Sequence, residues 1–194
     1  MIFLNLGCGG NRSITEPWRN IDQLYSILPE GSDALANLKK EWNYVDHNIL
    51  EPFPFETGSV DGILCAHALE HFVLNDSLLV MRNCFKVLKQ GGVLRVSVPD
   101  PQKFIYLTLA GNKDWGVSDW NDENPHKLSG MSFMENALFF AEHKQMLGFD
   151  SLRCLFWLAG FKSCERMEPG QTQLVDLASK DDRVIFSLFV EGVK

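Results

Sequence analysis

Met1-Ile-Phe-Leu-Asn-Leu-Gly-Cys-Gly-Gly10 is an apolar run that breaks into Gly-x-Gly-Gly. It reads as a buried strand ending in a turn that small residues permit, because glycine reaches positive φ and lets backbone N–H groups come close to a ligand. Gly7, Cys8 and Gly9 therefore stand at the carboxyl end of a first strand, where open α/β sheets take their ligands. A dinucleotide phosphate would call for Gly-x-Gly-x-x-Gly, and Asn11-Arg12 occupies the place of the third glycine. A tight turn with no ligand is the plain alternative.

Working outward, apolar runs alternate with helical patterns, which argues a parallel sheet flanked by helices. Strands are expected near Ile2–Leu6, Arg19–Asp22, Tyr44–Asp46, Val60–Ala66 and Val93–Val98. A helix is expected from Asp76 to Lys89, with Leu78, Leu79, Arg82, Phe85 and Leu88 near the helical period and Gly91-Gly92 ending it. A second is expected from about Asp150 to Ala159, capped by Asp150 or Ser151 and terminated by Gly160. Pro101 can open a short helix, and Phe161–Met167 and Val184–Glu191 read as the last strands. Only 13 residues (22 − 9) separate Gly9 from Asp22, so a first helix there must be very short or absent.

The blocks that follow the first one are Trp18-Arg-Asn-Ile-Asp22, Val45-Asp46-His47, Ser59-Val-Asp61, His67-Ala-Leu-Glu70-His71-Phe72 and Leu88-Lys-Gln-Gly91-Gly92-Val-Leu-Arg-Val-Ser-Val-Pro-Asp100. In this order they resemble the class I S-adenosylmethionine-dependent methyltransferases, most of all a group of small predicted methyltransferases with a strand-first start. The resemblance covers residues 1–100 well and continues more weakly through His143–Asp150, Leu158–Phe161 and Ser187–Glu191. It implies a Rossmann-like α/β fold with a mostly parallel seven-stranded sheet, helices on both faces and an antiparallel edge hairpin. It also implies S-adenosyl-L-methionine as cofactor and methyl transfer to a small-molecule or sugar-type acceptor. That cofactor carries no phosphate, which suits the incomplete glycine fingerprint better than a dinucleotide.

At 194 residues the chain fits one domain, 1–194, large enough to bury a core without disulfides or metal. A net charge of −7 leaves no basic footprint, so nucleic acid is not expected as a partner. No apolar stretch approaches a membrane span, and the N-terminus lacks the charged region of a signal peptide. The five cysteines are scattered without a Cys-x-x-Cys pair, which fits a reducing cytoplasm. Residues 101–148 are the irregular part. Gly111–Gly130 lacks a period but carries Trp115, Trp120 and His126, and so long a connection is expected to be a lid or substrate wall.

Asp22 can accept hydrogen bonds from both hydroxyls of a ribose, a helix N-cap being the alternative. By resemblance Asp46 receives the adenine amino group with His47 nearby, although Asp46 and Asn48 are also turn-like. The resemblance places Ala66 and His67 near the cofactor methionine, and it puts an acid where this chain has Asn5. His67-Ala-Leu-Glu70-His71 also matches an inverted zincin pattern. Yet Ile63-Leu-Cys-Ala before it reads as a strand, so His67 and His71 are not expected to face a common point and no metal is expected. Glu70 would then sit in the first turn of a helix, where an acid suits the dipole. Asp100, His126 and His143 are the candidate acid–base groups, because methylating an oxygen or nitrogen requires loss of its proton. Two other readings stay open: a catalytically inactive cofactor-binding domain acting through a partner, and a zinc hydrolase built on His67, Glu70 and His71. The sequence does not fix the oligomeric state.

Overall fold

A computed structural model of the chain describes residues 1–9, 17–23, 33–110, 142–174 and 186–194. Strands β1 (Phe3–Leu6), β2 (Trp18–Asp22) and β3 (Tyr44–Asp46) come first, with helix α1 (Asp33–Glu41) preceding β3. β4 (Val60–Ala66) runs into a single 3-10 turn at Leu69–His71, then helix α2 (Leu74–Val87) and β5 (Leu88–Pro99). Helices α3 (Pro101–Leu109) and α4 (Phe149–Ala159) and strands β6 (Glu165–Met167) and β7 (Ser187–Val193) complete the described elements.

The sheet order is β3-β2-β1-β4-β5-β7-β6. β3, β2, β1, β4 and β5 are mutually parallel, while β7 runs antiparallel to both β5 and β6. This is the Rossmann-like arrangement with an antiparallel edge hairpin. The strand order reverses between β1 and β4, so a crevice opens beyond their carboxyl ends.

Period-two alternation sorts the strands' side chains between two faces. Leu4 and Leu6, Ile63 and Cys65, and Leu94, Val96 and Val98 join one core with Val80, Met81, Cys84 and Val87 of α2 and Leu152, Leu155, Phe156 and Ala159 of α4. The three- and four-residue spacing of those helical positions makes one apolar stripe, which is why these two segments are helices packed on this face. Phe3, Trp18, Leu64 and Val93 point to the opposite face and gather with Leu174. Among the described residues no helix is long and apolar enough to cross a membrane.

Some boundaries differ from the sequence expectation. α2 ends at Val87, and Leu88 starts β5 directly; Leu88 is fully buried and pairs with Val60, so burial takes it from the helix. Gly91 (φ +77°) therefore lies inside the strand, at the register shift between β4 and β5, and does not end a helix. α4 starts after Gly148 with no side-chain cap, so neither Asp150 nor Ser151 plays that role, while Gly160 ends it as expected. Glu70 belongs to the 3-10 turn and not to the first turn of α2, because Phe72 and Val73 are extended between the two. α1 was not anticipated. The question of a helix before β2 and the segment Gly111–Gly130, with Trp115, Trp120 and His126, lie outside the described residues.

Candidate active site

The parallel strands deliver their C-terminal residues to one edge of the sheet: Gly7 after β1, Asp22 of β2, Asp46 of β3, His67 after β4 and Asp100 after β5. Beyond β1 the chain turns through Gly7 (φ +61°) and Gly9 (φ +48°). The Gly7 amide donates to the Ile21 carbonyl at 2.8 Å, and a Cβ on Gly7 would lie 2.7 Å from that of Ala68. Only glycine fits between these neighbours with that backbone conformation. Asp22 fixes the far side of the loop: its Oδ2 accepts the Gly9 amide at 2.6 Å and its Oδ1 accepts the Gln23 amide at 2.7 Å. The Asp22 carbonyl accepts both the Tyr44 hydroxyl (2.6 Å) and the His47 amide (3.0 Å), tying β3 to β2.

Asp46 is the register partner of Asp22 on the neighbouring parallel strand, so the two carboxylates leave the same face of the sheet. Both Asp46 oxygens are buried and without a hydrogen-bond partner among the described residues, as is Nε2 of His47 next to it. Burying polar atoms unpaired is costly, and native proteins leave few of them. Asn5 is turned away from this edge; its Nδ2 donates to Asn20 Oδ1 at 2.8 Å between β1 and β2. Cys8 is buried in the glycine loop, and Ala66 is the last residue of β4.

His67 holds positive φ (+50°), a conformation uncommon outside glycine, and its ring is held at both ends. Nδ1 lies 3.1 Å from Glu70 Oε1 and Nε2 lies 2.8 Å from Ser187 Oγ. An ionised Glu70 can only accept, so Nδ1 donates to it, and a neutral ring then accepts the Ser187 hydroxyl proton at Nε2. Glu70 is 1% exposed, and its second oxygen has no partner among the described residues. Its carbonyl accepts the Lys144 amide at 2.8 Å, while Gln145 Nε2 donates to the Leu69 carbonyl and the Ser77 hydroxyl. The chain returning at 142–148 is thereby fastened to the 3-10 turn. This places His143 Nε2 4.0 Å from Glu70 Oε1 and sets its ring edge-on to that of His71, 4.9 Å between centroids.

Asp100 is 3% exposed and caps α3, accepting the Gln102 amide at 3.0 Å. The structure thus joins His143 to Glu70 and His71, places Asp100 as a cap at the same end of the sheet, and does not describe His126. Sequence reasoning missed Ser187 and Gln145, and it read Glu70 as a helix-start acid or as part of a zinc hydrolase, with no contact to His143. The three-residue spacing of His67 and Glu70 was the one local signal of their contact.

A sequence model described as a methyltransferase domain matches residues 4–96, from β1 through most of β5. That match spans 93 of the 194 residues and supports the resemblance to the class I S-adenosylmethionine-dependent methyltransferases. No curated protein sequence matches the chain. Among solved structures, it is similar to a SAM-dependent methyltransferase from Archaeoglobus fulgidus, with a TM-score of 0.60 and 14% identity over 100% of this chain and 86% of that one. A SAM-dependent methyltransferase from Thermotoga maritima gives a TM-score of 0.57 and 16% identity over 99% and 81%. PigF, solved with SAH, gives 0.57 and 16% over 100% of this chain and 50% of its own.

The residues at this edge of the sheet fit S-adenosylmethionine, the cofactor that the resemblance implies. Gly7, where a Cβ would meet Ala68, and a buried carboxylate with no partner among the described residues, on the strand next to Asp22, are what a nucleoside with an amino group and two ribose hydroxyls would complete.

Proposed function

We propose that the methyltransferase modifies a small-molecule or sugar-type acceptor, held beyond the ends of β4 and β5 beside Asp100 and His143. Gly7, Cys8 and Gly9 would receive the amino-acid part of S-adenosylmethionine, Asp22 its ribose hydroxyls, and Asp46 with His47 its adenine. Ala66 and His67 would border the reactive end, with Asn5 supporting the loop from below through Asn20. The bound cofactor supplies a methyl group on a positively charged sulfur, so the protein's own task is to orient the acceptor, exclude water and receive a proton. His143 is the group we assign to the acceptor, as its base or its anchor, with Asp100 and His126 as further candidates.

The unpaired carboxylate of Asp46 beside Asp22 carries this reading. Calorimetry with S-adenosylhomocysteine tests it: micromolar binding is expected, on the order of −8 kcal/mol. Asp22→Ala should weaken it by about 1.5–3 kcal/mol, the scale of hydrogen bonds to a charged group. No binding to the wild type, or equal binding to the variant, would refute the assignment. Methyl transfer to a panel of hydroxyl and amine acceptors then identifies the class. His143→Gln should lower turnover by about 10²–10⁴-fold if His143 is the base.

A further inference from the structure

The structure assigns Glu70, His71 and His143 to a divalent transition-metal site next to the acceptor position. One ligand atom from each, an imidazole nitrogen or a carboxylate oxygen, lies within 4.8 Å of the other two. The inference deepens the reading above: His143 serves the acceptor as a metal ligand in place of a base.

Glu70 is 1% exposed, and one of its oxygens is buried with no partner among the described residues. Its other oxygen is held by His67, which is itself held by Ser187. Ligating carboxylates are commonly oriented by such an outer hydrogen bond, which leaves the remaining oxygen for the metal. His71 and His143 present their rings edge to face at 4.9 Å and are both only partly buried, so an ion can reach them from solvent. The inverted zincin set, His67 with His71, is not what assembles, since His67 is spent on Glu70 and Ser187.

Two imidazoles and one carboxylate select the metal class. Imidazole disfavours magnesium and calcium, which prefer oxygen ligands, and suits zinc, cobalt, manganese or iron. Donor atoms around a tetrahedral ion with bonds of about 2.1 Å stand roughly 3.4 Å apart, so pairs that lie at the 4.8 Å limit must close by about 1.4 Å. The partly buried His71 and His143 side chains are the ones that would move to make that closure. Three protein ligands leave at least one coordination position open, as in catalytic sites, and an acceptor oxygen can take it.

The test titrates Co²⁺ into the full-length protein after chelator treatment and follows visible absorption. One equivalent of Co²⁺ giving a d–d band is expected. His143→Ala and His71→Ala should each weaken binding about a hundredfold, and His67→Ala about 10–100-fold as an outer-shell change. Cys154→Ser, which removes the exposed thiol, should leave the titration unchanged. Melting curves in chelator confirm that each variant is folded, and His71→Ala, at a partly exposed position, keeps the test open if Glu70→Gln fails to fold. No band up to millimolar Co²⁺, or a band undiminished in folded His143→Ala and His71→Ala, would overturn the site. S-adenosylhomocysteine calorimetry in chelator separates the two readings. Nucleoside binding without Co²⁺ binding sinks the metal site alone, whereas Co²⁺ binding without nucleoside binding supports it and sinks the methyltransferase reading.

Discussion

A carboxylate buried with neither oxygen paired costs the folded protein free energy, and among the described residues Asp46 is such a group. Asp22, its neighbour in register, is the opposite case: its two oxygens hold the Gly9 and Gln23 amides. The two residues should therefore separate stability from binding. Asp46→Ala is expected to leave the melting temperature of the ligand-free protein unchanged or raised, while weakening S-adenosylhomocysteine by about 1.5–3 kcal/mol. Asp22→Ala should lower both, because the glycine loop loses its tether. Differential scanning calorimetry and titration calorimetry on the same preparations check this. A strong loss of stability in Asp46→Ala would show that its carboxylate supports the fold and does not wait for a ligand. His67, at positive φ with both ring nitrogens engaged, is a second residue held in place by its surroundings.

Elements explain what could be read in advance. The strand ends at Asp22, Asp46 and His67 were legible because each closes a short apolar run, and in a parallel sheet such ends share one edge. α1 carried a usable signal, Asp33 in its first turn with Lys39 and Lys40 in its last, which suits the helix dipole. What local pattern could not show is pairing across the fold. β7 returns antiparallel with Ser187 opposite Pro99, and only that register brings the Ser187 hydroxyl to His67, 120 positions away. Likewise Leu88 fits a helical period, yet burial against β4 makes it a strand residue. Two element-scale junctions give predictions. Burial opposes ionisation of Asp61, but the Lys89 ammonium at 2.6 Å and the Ile2 amide at 2.7 Å prevail and hold its carboxyl below its ordinary 3.8. A depressed carboxylate contributes stability above its unfolded pKa and loses it as pH falls through the folded one. Asp61→Asn should thus cost about 1 kcal/mol or less at pH 7, given the exposure of Lys89, with the gap closing below about pH 4. Melting temperatures measured against pH decide it. Between β5 and β7, Arg95 and Glu191 form a fully buried pair at 2.8 Å, with Arg95 also donating to the Gln171 carbonyl. Glu191→Leu would leave Arg95 buried without its partner and should cost about 3–5 kcal/mol in urea unfolding.

At the scale of the whole molecule, five cysteines report how the site is linked to global stability. Cys154 is exposed, Cys164 is half-buried with its thiol pushed up to about 11 by burial, and Cys8, Cys65 and Cys84 are buried. Burial raises the Cys65 and Cys84 thiols still further, and both belong to the core between the sheet, α2 and α4. The thiolate is the reactive form, so at pH 8 a disulfide reagent should label Cys154 within seconds to minutes and Cys164 slowly. Cys65 and Cys84 should wait for unfolding of the core. A ligand that binds only the folded state stabilises it by RT ln(1 + [L]/Kd), about 2.7 kcal/mol at a hundred times Kd. S-adenosylhomocysteine at that concentration should therefore slow labelling of Cys65 and Cys84 about a hundredfold and leave Cys154 unaffected, where the reagent reads the equilibrium population of the open form. Cys8 lies in the glycine loop itself, so it should gain protection from any local opening of that loop as well. Mass spectrometry of the labelled peptides against time resolves each thiol. Unchanged rates at Cys65 and Cys84 in saturating ligand would mean that these thiols are reached by an opening that spares the binding site. Slowing at Cys8 alone would confine the coupling to the glycine loop and the Asp22 tether.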